Sequence, residues 1–178
     1  MSPRATATPE RFVQQVTAAI ERELEVVVRE HVSARGSLDQ LGDPRALARR
    51  MLALVPEASA WNDVLGPFYA TRGATTVLGG ITRQALAERR ARRTVVALRT
   101  ADDEWVYPLF QFGDREVLPG VADAWQALDG IDDWTAAALL VAPQRALDGA
   151  TAIGWLAAGR PVDTVVSLLR SAAARLTR

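Results

Sequence analysis

Six arginines fall at positions 83, 89, 90, 92, 93 and 99 with one acid, Glu88, among them, so residues 82–99 carry a net charge of +5. A guanidinium is a planar, permanently charged fork that fits phosphate oxygens and the acceptor pair of guanine. The Gln84 amide has the donor and acceptor that fit adenine, and Glu88 can accept from the cytosine amine. Thr82 is a helix N-cap type, and the helix it opens presents free backbone N–H groups to an anion. Arg83, Gln84, Ala87 and Glu88 are expected on the outward face of that helix. Arg89, Arg90, Arg92, Arg93 and Arg99 crowd its end and the following strand, where phosphates would lie. The bland alternative is a solvated helix face. Like charges this dense repel along a short helix, so an anionic partner, double-stranded DNA, is the expectation.

Other chemistry finds little material. There is no cysteine and one histidine, His31, which removes disulfides, thiolate metal sites and Ser-His-Asp triads as sensible readings. His31 sits on an apolar stripe and reads as a satisfied core histidine. Asp102, Asp103 and Glu104 are contiguous in a turn, so alternate side chains diverge and cannot easily share a metal. Asp132-Asp133 before Trp134 reads as a helix cap. No phosphate-loop or dinucleotide glycine motif is present. We therefore expect no catalysis, metal or cofactor.

The 178 residues are 49% apolar, enough for a core in one domain or two small ones, and 21 basic residues balance 21 acids. A globally basic coat is excluded; a local patch is not. Every basic residue is arginine, which fits codon usage in a GC-rich genome. No apolar run is long enough for a membrane span. The opening MSPRATATPERF lacks a signal-peptide core, so a cytoplasmic location is expected.

The elements that must position the basic group follow from periodicity. Thr8-Pro9-Glu10 starts a helix whose apolar stripe, Phe12, Val16, Ile20, Leu24, Val27 and His31, runs to about Arg35; Gly36 ends it. Its length and narrow stripe suggest a dimerising helix, so a homodimer is expected. A loop over 35–44 precedes a short helix over 45–54, and 58–65 looks helical. Thr71–Leu78 forms a helix, Gly79-Gly80 a turn, and a second helix runs from Thr82 through Arg92. Val77, Leu78, Ile81, Ala85 and Leu86 pack this pair. The period then switches to two: Val95–Arg99 and Trp105–Tyr107 are strand-like, with Ala101-Asp102-Asp103 as their turn. Helix, turn, helix, hairpin is the order of a winged helix-turn-helix. After Pro119 the chain is helical over 121–128, 132–142, 150–158 and 162–176. Residues 100–133 hold one Arg and nine acids, a net −8, beside the +5 element.

The run ITRQALAERRARRTVVALRTADDEWVYPLFQF resembles the helix-turn-helix of MerR/excisionase-like bacterial regulators, with Trp105, Tyr107, Phe110 and Phe112 packing the wing. Residues 132–176 are similar to the C-terminal toxin-binding domain of the Xre/MbcA/ParS antitoxin family, on Trp134, Leu139, Leu140, Pro143, Leu147, Gly149, Thr151, Trp155, Leu156, Gly159, Val165, Leu168 and Leu169. The family's Gly-Arg-Thr-Pro loop is Gly149-Ala150-Thr151-Ala152 here. The resemblance implies a RES-domain, NAD-consuming toxin as partner, touching Leu147, Gly149, Thr151, Trp155, Leu156, Arg160 and Arg170.

The expected fold is thus mainly α: a helical protein with a winged helix-turn-helix (a short β-hairpin) and a C-terminal helical bundle. Its parts are residues 1–57, helical and dimerising; 58–118, the winged helix-turn-helix; and 119–178, the partner-binding domain. The expected function is a non-enzymatic DNA-binding antitoxin and repressor. A stand-alone or nucleoid-associated regulator without a toxin is the alternative. A further one is an adaptor that does not bind DNA, its arginines meeting the 100–133 acids of a second copy.

Overall fold

The computed structural model describes residues 8–34, 36–55 and 61–177. It is mainly helical, with nine α-helices and one small antiparallel sheet among the described residues. The chain divides into two compact units, 1–48 and 49–178. No helix of the described residues is long and apolar enough to cross a membrane.

In the first unit α1 spans Pro9–Ser33, with the Thr8 hydroxyl accepting from the Arg11 N–H. His31 is half-buried at its end: Nε2–H donates to the Ser37 carbonyl at 3.0 Å, which fixes that nitrogen as the protonated one. A Cβ on Gly36 would lie within 2.5 Å of the imidazole, so a larger residue there would displace the ring. A 3₁₀ turn, Leu38–Leu41, is held by a Ser37/Gln40 capping box. Helix α2 (Pro44–Leu52) crosses the boundary between the units.

The second unit carries α3 (Asn62–Leu65), β1 (Phe68–Ala70), α4 (Thr71–Val77), α5 (Arg83–Ala91), β2 (Leu98–Arg99), β3 (Trp105–Pro108), α6 (Val121–Gln126), α7 (Asp133–Val141), α8 (Ala152–Ala157) and α9 (Val162–Leu176). The expected helix start near 58 lies outside the described residues; 62–65 is helical. The sheet order is β1-β3-β2, with Tyr69 opposite Tyr107 and Leu98 opposite Val106.

Alternation explains how one thin sheet serves two cores. Along Val95-Val96-Ala97-Leu98, successive side chains point to opposite faces. Val95 and Ala97 join Tyr107, Ala74, Leu78 and Leu86 in a small core with α4 and α5. Val96, Leu98 and Val106 join Phe68, Trp125, Leu140, Leu156, Val165 and Leu169 in the large one. The large core draws on residues on both sides of position 118, so the packing runs across the expected limit of the hairpin region.

The strand expected over 95–99 pairs only at 98–99. The reason is Gln111, fully buried: its Oε1 accepts from the Val96 N–H at 2.6 Å, and its Nε2 donates to the Val96 carbonyl at 2.8 Å. A side chain takes the place of a neighbouring strand there. Strand β1, which periodicity does not predict, follows Gly66-Pro67 directly; three residues carry no readable period.

Candidate nucleic-acid interface

Helix α5 is positioned at its start, middle and end. Thr82 accepts from the Ala85 N–H at 3.1 Å as its N-cap, and Leu86 is fully buried in the small core. The Gly79-Gly80 turn before it has φ of 83° and 80°, left-handed backbone that glycine adopts without strain. At the far end Thr94 Oγ1 donates to the Arg89 carbonyl. A helix anchored through Leu86 turns Gln84 and Glu88 outward. Gln84 Nε2 donates to Glu88 Oε1 at 3.3 Å, so the pair forms one small polar platform. Ala87, expected with them, is half-buried and lies beside Arg90, Trp105 and Trp125.

The arginines divide into two groups. Arg93 turns inward: Nη1 donates to Asp133 Oδ1 at 2.9 Å, and the guanidinium lies 4.2 Å from the Trp125 ring centre. Its Nε is 3.6 Å from Asp129 Oδ1, too long for a hydrogen bond. Nε and Nη2 are accordingly buried without a hydrogen-bond partner. Arg93 also holds φ at 52°, the left-handed region that costs a non-glycine residue on the order of 1 kcal/mol. The Asp133 and Trp125 contacts, on α7 and α6, offset that strain.

Arg90 lies over the Trp105 ring at 4.1 Å and donates to the buried Tyr107 hydroxyl at 3.2 Å. Arg99 pairs with Asp103 at 2.5 Å and sits 5.3 Å from the centre of the same Trp105 ring. These three arginines are thus committed within the chain, contrary to the expectation of a free phosphate-facing cluster. Arg83, Arg89 and Arg92 make no ion pair among the described residues; Arg83 and Arg92 are exposed and Arg89 half-buried.

Arg83 and Arg72 line a cleft of about 520 Å³ with Asp102, Glu104 and Trp105 of the β2–β3 hairpin. The hairpin tip is therefore acidic. The Thr100 hydroxyl and the backbone hold the Asp102 carboxyl below its ordinary pKa, so it stays ionised to lower pH than a free aspartate. A tip of this charge repels phosphate, which confines any duplex contact to α5 and its flanks.

Among the described residues no three metal-ligating side chains gather. Asp132 caps α7, accepting from the Thr135 N–H at 2.9 Å. In the C-terminal helices, Leu147 is fully buried and Leu156 nearly so. They are core residues, contrary to their expected place on a partner face. Thr151 is the N-cap of α8 and half-buried, accepting from the Gly154 N–H at 2.9 Å. Trp155 is half-buried, with Nε1 donating to the Pro161 carbonyl and Arg160 stacked 4.6 Å above its ring. Gly149, Arg160 and Arg170 are exposed.

Sequence reasoning missed Gln111 and the Trp125–Arg93–Asp133 contact. The adjacent +5 and −8 stretches were the available signal for the latter. No protein-family model, curated protein or solved structure matches the chain.

Proposed function

We propose that α4, the glycine turn, α5 and the β2–β3 hairpin form a winged helix-turn-helix that binds double-stranded DNA through α5 and its flanks, not through the acidic hairpin tip, and that the chain is a transcriptional repressor. One observation carries this reading. After the chain's own acids have taken Arg93 and Arg99, Arg83, Arg89 and Arg92 remain without an ion pair among the described residues, on the same helix and cap that turn the Gln84–Glu88 pair outward. Element order supports it as well: helix, turn, helix and hairpin follow one another, and the sheet is packed behind α5.

In this reading the arginines hold the phosphates and the Gln84–Glu88 pair meets base edges. The test is binding of the full chain to a random duplex pool, followed by anisotropy on the enriched sequence at several salt concentrations. Gln84→Ala and Glu88→Ala should each relax preference at one base position by roughly tenfold while leaving affinity for unselected duplex nearly unchanged. Absence of any salt-dependent retention of duplex ends the reading.

The partner half of the proposal rests on the resemblance to the antitoxin family. With Leu147 and Leu156 in the core, a toxin would meet Gly149, Arg160 and Arg170, with the Trp155 edge beside them. A growth test decides it. The product of the adjacent reading frame should be toxic alone, harmless with this chain, and recovered in complex with it. Arg160→Glu combined with Arg170→Glu should abolish the rescue. A harmless neighbour that forms no complex leaves a repressor acting without a toxin.

A further inference from the structure

Helix α1 carries an exposed apolar seam. Val13, Val16, Ile20, Leu24 and Val27 recur at spacings of three, four, four and three, which keeps them on one face of a helix. Every one is between 38% and 60% exposed, and α1 has no buried residue.

The charges around the seam are sorted. At ~100° per residue, Glu23 and Glu30 border it on one side, and Glu10 and Glu21 on the other. Arg11, Arg22 and Arg29 all fall on the opposite face. Every charged residue on either border is therefore a glutamate.

This sorting decides what the seam can hold. In a parallel pair of α1 helices one glutamate border would meet the other; in an antiparallel pair each would meet itself. Neither arrangement gives a border glutamate an opposite charge across the contact, and where charged border residues meet they meet as like charges; border charges govern pairing of this kind. An anionic bilayer surface would face the same repulsion. We propose that α1 docks its apolar seam on a partner protein whose apolar strip or groove is bordered by arginine or lysine, and that it does not pair with a second α1. The proposal is independent of the DNA-binding reading and stands in place of the homodimer that the helix's length and narrow stripe suggest.

The probe is the full chain carrying Glu10→Lys, Glu21→Lys, Glu23→Lys and Glu30→Lys, with its helicity checked by circular dichroism. Sedimentation of the natural chain alone and of the variant alone should give no association through α1. An equimolar mixture should form a one-to-one complex, at least about tenfold tighter than either self-association, that dissociates as salt is raised. Leu24→Glu in the natural chain should abolish the complex. Self-association of the natural chain that Leu24→Glu disrupts would overturn the proposal, and so would a mixture that forms no complex. Should the fourfold variant fail to fold, a synthetic peptide of residues 8–34 with the same four lysines replaces it, with the same outcomes.

Discussion

Replacing Gln111 with leucine is expected to lower the unfolding free energy by about 3 kcal/mol or more, because three hydrogen bonds to backbone disappear at a site water does not reach. The glutamine is fully buried. Its amide accepts from the Val96 N–H and donates to the Val96 and Pro108 carbonyls, at 2.6, 2.8 and 3.0 Å. Leucine is close in volume, so no cavity opens, and the cost is that of leaving these groups unpaired. Urea denaturation measures it: the midpoint should fall with little change in slope. A loss under about 1 kcal/mol would mean that the Val96 groups find other partners.

Gln111→Glu separates the two halves of the clamp. A carboxylate can still accept from the Val96 N–H but cannot donate to either carbonyl. Burial raises the carboxyl pKa in the folded state, and the protonated form regains one donor. The stability of this variant should therefore be greatest below the unfolded carboxyl pKa, and should be lost as pH rises through the raised folded value. The natural chain carries no such dependence at this position. Because 94–97 links α5 to β2, failure of the clamp should free the hairpin from both cores.

Local signals made the helices legible in the sequence. Thr8, Thr82 and Asp132 all accept the backbone N–H that their types and positions suggest, since a cap depends on four consecutive residues. The hairpin turn over 101–103 was legible for the same reason. What required distance was not. Counting charge along the chain put Arg93 and Arg99 with the free arginines, yet Asp133 is 40 residues from Arg93 in sequence. Val95–Arg99 has the composition of a strand, but whether a strand or a side chain satisfies Val96 depends on where Gln111 lands. Leu147 and Leu156 illustrate the converse: a motif can be matched by residues that hold a core, and their type gives no sign of which face they occupy.

Removing the side chains of Arg83, Arg89 and Arg92 together is expected to weaken duplex binding by roughly 100- to 1,000-fold. The salt slope should fall by about three, because each phosphate neutralised contributes near 0.9 to it. Sequence preference among the duplexes that still bind should be little changed, because phosphates carry no sequence. The same substitution should leave thermal stability nearly unchanged, since none of the three makes an ion pair among the described residues. Arg93→Ala should do the reverse. It removes the Asp133 pair and the stack on Trp125, so the chain should unfold about 1–3 kcal/mol more easily, with the salt slope of whatever binds retained. Anisotropy across a salt series and denaturation on the same samples give both numbers for each variant. If the slope falls with Arg93→Ala and not with the triple variant, the anion lies against the α6–α7 side of the chain, and α5 does not face the duplex. The division of six neighbouring arginines into those that build the fold and those that meet a partner is thus open to direct measurement, because a structural guanidinium and a phosphate-binding one respond to different variables.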